Sequence, residues 1–252
     1  MAYSKPIEEA AELIANSTFT VALSGAGISV DSGIPDFRSS GGLWDRYDPM
    51  VYANINSFIS DPVVVWEMLV EMNEMMLSAK PNAGHKALGK LETQGRLHGI
   101  ITQNIDGLHQ AAGNNNVVEF HGNCTKLACI ACGNKYDPHD FKASNGKPPT
   151  CKCGQILKPD IIFFGEAIPQ DAFARSIEFS EKAEVMLVVG TSATVTPANM
   201  LPQVAKEYNA AIIEVNLHPT QLTGNLTDVF LQGSTSDILP ELARRVAEHA
   251  RH

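Results

Sequence analysis

No stretch of the 252-residue chain approaches the ~18 consecutive apolar residues of a membrane span. The first residues, MAYSKPIEEAAELIANS, lack the basic start and apolar core of a secretory signal, so the sequence reads as cytoplasmic. Positive charge is scarce: 19 Lys and Arg stand against 28 Asp and Glu, a formal net charge of −9. That balance argues against non-specific binding to nucleic acid and is compatible with a lysine-bearing, basic partner. Cysteine is missing everywhere except positions 124–153, where all five lie. Without an export signal, this clustering favours metal over disulfides. No internal repeat or low-complexity tract stands out.

One further absence is informative. The apolar run Phe19–Leu23 reads as a buried strand that breaks into Gly25-Ala26-Gly27. A strand opening into glycines ahead of a helix lets backbone N–H groups approach a phosphate. The third glycine of the redox dinucleotide pattern would fall at position 30, which is Val30. The next convincing strand, near Leu97–Ile101, comes far too late to bring an acid to the ribose in the redox manner. The phosphate grip is familiar, but hydride transfer is not indicated. The following loop carries Asp36, Phe37 and Arg38, an acid, an aromatic and a guanidinium that resemble parts of a reaction site.

Lys5–Asn16 shows a helical apolar face, and Asp61–Ser78 reads as a helix with Asp61 as N-cap and Pro62 at its first position. Val65, Leu69, Met72 and Met76 share one side of it. A second helix is expected at Ala83–Thr93, ended by Gly95. Short apolar runs then recur at Leu97–Thr102, Val117–Phe120, Asp160–Phe164, Val185–Gly190, Ala211–Val215 and Val229–Leu231. Strands this apolar suit a sheet covered on both faces, with helices over 169–182 and 197–207 and a closing helix at Pro240–Ala250. The expected architecture is α/β, a doubly wound Rossmann-like parallel sheet built from 1–35, 83–121 and 160–252. A cofactor loop with a helical insertion (36–82) and a small zinc-ribbon module (122–159) interrupt it.

Cys129-x-x-Cys132 and Cys151-x-Cys153 are two thiol pairs, each beside a glycine. Four thiolates in a tetrahedron satisfy one zinc ion and leave no open position, so the site would be structural; redox-labile thiols without metal are the alternative. Cys124 is the spare, expected to be a buried structural thiol. Gln103-Asn104-Ile105-Asp106 follows a parallel strand, where polar side chains meet the ligand crevice. These side chains could bind ribose or an amide, or Asn104 or Asp106 could simply cap a helix running to Ala112. His121 ends the run Val117–Phe120 at the same edge and is placed for proton transfer near neutral pH. The other seven histidines read as packing or solvated residues. Ile162-Phe163-Phe164-Gly165-Glu166 is either a core strand or an edge that pairs with a peptide. Gly190-Thr191-Ser192 and Asn216 end later strands with small, polar contacts.

Together, GAGIS…SGIPDFR at 25–38, TQNIDGLH at 102–109, EFHGN at 119–123, the cysteine pairs, FFGE at 163–166, GTS at 190–192 and VN at 215–216 resemble the sirtuins, NAD-dependent protein-lysine deacylases. The resemblance spans nearly the whole chain in the family's order. It implies NAD contacts from Gly25, Ala26, Gly27, Asp36, Phe37, Arg38, Gln103, Asn104, Ile105, Asp106, Gly190, Thr191, Ser192 and Asn216. Asn104 and Asp106 would hold the nicotinamide and its ribose, and His121 would be the general base. The products implied are nicotinamide, O-acyl-ADP-ribose and free lysine. An acyl-lysine peptide would lie between Ile162–Glu166 and the segment around Val195. The chain departs from the family in Cys151-x-Cys153, one residue short of the usual second pair. Leu69 and Met72 also stand where succinyl-removing sirtuins carry Tyr and Arg, which implies a preference for neutral acyl groups. Mono-ADP-ribosyl transfer and a non-catalytic NAD- or zinc-binding module are the alternative readings.

Overall fold

The computed structural model describes residues 4–37, 41–141 and 147–249. The chain opens with α1 (Ser4–Asn16), which buries Ile7, Ala10, Ala11 and Ile14, and enters β1 (Thr20–Ser24), buried throughout. After a loop come α2 (Leu43–Arg46), α3 (Pro49–Tyr52), α4 (Ile55–Ser60) and the long α5 (Pro62–Ser78). Asp61 caps α5 by accepting from the Val64 N–H, with Pro62 at the first position, where a missing N–H costs nothing. Next are α6 (Ala83–Thr93), β2 (Gly99–Thr102), α7 (Leu108–Ala111) and β3 (Val117–Glu119). A second lobe holds β4 (Gly122–Cys129), β5 (Lys135–Tyr136) and β6 (Leu157–Ile161). The chain ends through α8 (Gln170–Lys182), β7 (Val185–Val189), α9 (Leu201–Glu207), β8 (Ala211–Asn216), β9 (Val229–Gln232) and α10 (Thr235–His249).

Six strands form one parallel sheet in the order β3-β2-β1-β7-β8-β9. Strand order reverses between β1 and β7, which opens a crevice at their carboxyl ends. Side chains alternate across the sheet. Ala22, Leu187 and Val189 meet α1, α6 and α10 on one face, while Val21, Leu23, Met186 and Val188 meet α8 and α9 on the other. Burial on both faces is why these strands are almost continuously apolar.

β5, β4 and β6 form a separate antiparallel sheet. A third core joins it to α5, with Val65, Trp66, Leu69 and Met72 packed among Leu127, Leu157 and Ile161. The Trp66 indole N–H donates to the Leu157 carbonyl at 3.1 Å, a buried bond that fixes the helix against this lobe.

Three expectations are corrected. The run expected at Asp160–Phe164 in the main sheet is instead β6, paired antiparallel with β4, and the expected boundary at 160 falls inside that strand. The closing helix starts at Thr235, so Pro240 lies within it rather than at its head. No long helix follows the glycine turn, only single 3-10 turns at Ala26–Ile28 and Val30–Ser32.

Candidate functional site

The loops after β1 and β7 pack backbone to backbone at the switch point. The Gly25 N–H donates to the Val189 carbonyl at 3.0 Å, and the Gly27 N–H to the Gly190 carbonyl at 2.8 Å. A Cβ on Gly25 would stand 2.7 Å from Thr191 Cβ, and one on Gly27 would stand 2.8 Å from the Gly190 oxygen. Both glycines are therefore required by the contact between the two loops, whatever a ligand also requires.

This junction floors a cavity of about 430 Å³. Its walls include Gly25, Ala26, Gly27, Asp36 and Phe37 from the first loop, and Gln103, Asn104, Ile105 and Asp106 after β2. His121 contributes from the β3–β4 junction, and Ile162, Phe163, Phe164, Gly165 and Glu166 from the segment after β6. Gly190, Thr191, Ser192, Val195 and Asn216 complete it. Every expected nucleotide and peptide residue lines this one space except Arg38, which lies outside the described residues.

The polar groups are held by one another. Asn104 Nδ2 donates to the Gly25 carbonyl and to Ser29 Oγ, both at 3.1 Å. With both amide protons spent, Asn104 offers a ligand an acceptor, its Oδ1. Ser29 Oγ donates to Asp106 Oδ2 at 2.7 Å, and Asp106 Oδ1 accepts from the Leu108 N–H at 2.9 Å. Asp106 thus satisfies the first N–H of α7, as the capping alternative expects, and also lines the cavity. Gln103 Nε2 donates to Thr191 Oγ1 at 3.0 Å, and Asn216 Nδ2 to the Thr191 carbonyl at 2.9 Å. The first bond ties the two halves of the crevice together, and the second fixes the Thr191 loop to the end of β8.

His121 Nδ1 lies 3.1 Å from the Gln103 carbonyl, which can only accept. Nδ1 therefore carries the proton and Nε2 holds the lone pair. Burial holds the imidazole below its ordinary pKa, partly offset by that backbone bond, so it is a neutral acceptor at neutral pH. Its carbonyl accepts from the Ile162 N–H at 2.9 Å, linking it to the 162–166 segment. In that segment Phe164 spends its N–H on the Ala53 carbonyl and its carbonyl on the Ile55 N–H, so the helical insertion already occupies Phe164. Glu166 Oε2 accepts from the Phe163 N–H at 2.9 Å and faces Lys158 Nζ at 3.0 Å.

Two buried histidines under the glycine turn escape sequence reasoning. His109 Nε2 sits 2.8 Å from Ser24 Oγ, and His85 Nε2 sits 3.5 Å from Ser29 Oγ. Burial lowers His85 to about 4 and His109 to about 3. Two of the other histidines also have partners: His98 Nδ1 accepts from the Thr20 N–H and its ring stacks on Phe19, and His249 meets Glu8. Toward α5 the cavity is walled by Met68, Met72, Met75 and Met76. Leu69 is not among its lining residues and borders a second, neighbouring cavity together with Met72 and Met76.

In the second lobe the Sγ atoms of Cys129, Cys132, Cys151 and Cys153 lie within 4.8 Å of one another. The pairs Cys129–Cys153 and Cys132–Cys151 are 3.5 and 3.6 Å apart. A zinc tetrahedron with Zn–S bonds of about 2.3 Å has S–S edges of about 3.8 Å, so the four thiols fit a structural zinc. Gly133 and Gly154, at φ +69° and +87°, close the two turns, so the short Cys151-x-Cys153 spacing still delivers both sulfurs. Cys124 stands apart from this set; it is partly exposed where a buried thiol is expected, and desolvation pushes its thiol up to about 12.

A 3-2-1-4-5-6 parallel sheet with a glycine crevice and a cysteine-clasped second lobe defines a Rossmann-like nucleotide-binding protein with a zinc ribbon. The sequence pattern described as the Sir2 family matches residues 25–197. The NAD-dependent protein deacylase 2 of Pyrobaculum aerophilum is 43% identical over 242 residues, 96% of each chain. A solved Sir2 homolog–NAD complex superposes with a TM-score of 0.90 at 40% identity, covering 96% of this chain and 94% of that one. A Sir2 complex with a deacetylated p53 peptide and 3'-O-acetyl ADP-ribose gives 0.88 at 38% identity, covering 96% and 97%. The chain belongs to the Sir2 family.

Proposed function

We propose that this protein is an NAD-dependent protein-lysine deacylase that converts acyl-lysine peptides to free lysine, with nicotinamide and O-acyl-ADP-ribose as co-products. The observation that carries the reading is the neutral Nε2 of His121 in a cavity shared by the glycine turn, the Gln103–Asp106 loop and the Ile162–Glu166 segment. NAD, when bound, supplies an ADP-ribosyl group whose nicotinamide leaves. Gly25, Ala26, Gly27, Gly190, Thr191, Ser192 and Asn216 hold its nucleotide portion at the switch point. Asn104 Oδ1 accepts from the nicotinamide amide or a ribose hydroxyl, and Asp106 keeps Asn104 oriented through Ser29. Asp36, Phe37 and Ile105 shield the reacting end from water. His121 Nε2 takes a proton from a ribose hydroxyl, while the Gln103 carbonyl holds the proton on Nδ1. Ile162, Phe163, Gly165 and Val195 flank the peptide.

The test is incubation with NAD and an acetyl-lysine peptide, followed by assay of nicotinamide, deacylated peptide and O-acetyl-ADP-ribose. His121→Ala should lose at least about 100-fold in kcat, the scale of a missing general base, while keeping its fold and NAD affinity. Retained turnover in that variant would show that the base is another residue. Nicotinamide release with ADP-ribose left on protein would point to transferase chemistry instead.

A further inference from the structure

β8 carries a charge where a core residue belongs. Along it Ile213 and Val215 pack on one face of the sheet and Ile212 on the other, and Glu214, 0% exposed, shares the side of Ile212. A carboxylate buried this deeply persists only where donors surround it. Three surround it here, all from one short loop, 217–227. Thr220 Oγ1 donates to Glu214 Oε1 at 2.6 Å, and the Thr223 and Thr227 hydroxyls donate to Oε2 at 2.7 and 2.8 Å. Hydrogen bonds to an ionised acceptor are the strong ones, so Glu214 pins the loop from beneath. The loop in turn meets the site at two points. His218, Pro219 and Thr220 line the main cavity, while Gln221 does not line it and donates instead from Nε2 to the Ala193 carbonyl.

Resting on the deacylase reading, we propose that Gln221 is a positioning residue for the acyl-lysine peptide. Anchored by Glu214, its amide holds Ala193 in place and so sets Val195, two residues on, where it flanks the peptide. Three observations select this role. Ala193 has φ +53°, a left-handed conformation that a residue with a Cβ keeps only where its surroundings hold it. Among the described residues, the other hydrogen bonds of 192–196 are local: the Ala193 N–H to Thr191 Oγ1 at 3.2 Å, Ser192 Oγ with Thr194 Oγ1 at 2.8 Å, and the Asn199 N–H to the Val195 carbonyl at 2.9 Å. Gln221 is thus the tie from this segment to another loop. The nucleotide side has its own ties, since Thr191 is already held by Gln103 and by Asn216. Loss of the Gln221 amide therefore falls on the peptide edge and not on the glycine crevice.

The experiment measures KM for an acetyl-lysine peptide and KM for NAD separately, on the full chain and three variants. Gln221→Leu keeps the bulk of the side chain and removes the donor. Its peptide KM should rise about fivefold, the scale of one hydrogen bond, while its KM for NAD moves by less than about twofold. Gln221→Lys again offers the Ala193 carbonyl a donor and should bring the peptide KM back toward the wild-type value. Thr223→Val takes a donor from Glu214, loosens 218–220 together with Gln221, and should raise both KM values. An unchanged peptide KM in Gln221→Leu, an equal rise of both KM values there, or no recovery in Gln221→Lys overturns the inference and leaves the deacylase reading standing. A Thr223→Val protein with an unchanged peptide KM also overturns it, because Gln221 would then act without the Glu214 anchor. Absence of deacylation by a wild-type protein that binds NAD overturns the deacylase reading and this inference with it.

Discussion

The buried ion pair between Lys158 and Glu166 should govern peptide binding while leaving NAD binding alone. Lys158 lies on β6 with its side chain 9% exposed, and Glu166 ends the 162–166 segment at 22%. The ammonium spends its donors on Glu166 Oε2 at 3.0 Å and the Ile161 carbonyl at 2.5 Å, and it sits 5.2 Å from the Phe163 ring centroid. The same Glu166 oxygen accepts from the Phe163 N–H. Lys158→Met keeps the aliphatic stem but strands a half-buried carboxylate with a single donor. Breaking a buried pair costs about 3–5 kcal/mol, and the partial exposure of Glu166 reduces that to about 2–3 kcal/mol. For a chain of this size that is a Tm loss of about 5–10 °C. The segment loses its anchor to β6, so KM for the peptide should rise several-fold while KM for NAD stays put. Adding Glu166→Leu removes the stranded charge and should recover most of the Tm but not the peptide KM. Equal shifts in both KM values, or a Tm change under 1 °C, would refute the reasoning.

Further outcomes follow from the same geometry. His85 and His109 fall in the folded state from 6.5 to about 4 and about 3. The folded state binds fewer protons, so their contribution to stability is complete above pH 6.5 and is lost as pH falls toward those values, by roughly 1.4 kcal/mol per pH unit for each histidine. Tm measured from pH 7.5 to 4.5 should fall, and the slope should halve in His109→Gln. Cys132→Ser should release one zinc per chain by elemental analysis and cost more than about 4 kcal/mol, whereas Cys124→Ser should keep the metal. Gly27→Ala places a methyl 2.8 Å from the Gly190 oxygen and should cost about 1–3 kcal/mol, with KM for NAD raised more than KM for the peptide.

Most of the parallel sheet is legible from the sequence because strands buried on both faces are written as uninterrupted apolar runs. The same signal misplaces β6. Its Leu157–Ile161 backbone pairs with β4 across the cysteine loop, and antiparallel pairing to a distant partner leaves no local mark. His85 and His109 are missed for a related reason. Each sits on a helix that would look amphipathic with or without it. Only the topology shows that the two rings meet, centroids 5.0 Å apart, beneath a turn whose contacting serines lie 56 and 85 residues earlier in the chain. On α5 the expected face of Val65, Leu69, Met72 and Met76 packs in one core, while the cavity is lined by the overlapping set Met68, Met72, Met75 and Met76, which an apolar helix with a broad buried side also presents.

The two lobes act on one site because single residues belong to both. β6 runs from the cysteine clasp through Lys158 to Ile161, and the next residue donates its N–H to the His121 carbonyl. The cysteine lobe therefore sets the height of the 162–166 segment relative to the imidazole. The glycine turn and Gly190 are fixed to each other by backbone bonds that involve no residue of that lobe. The two scaffolds thus meet at His121, which hangs from the Gln103 carbonyl on one side and carries the 162–166 segment on the other. The side chain of His121 is bonded to the Gln103 loop and its backbone to the segment after β6, so a substitution there touches both scaffolds at once.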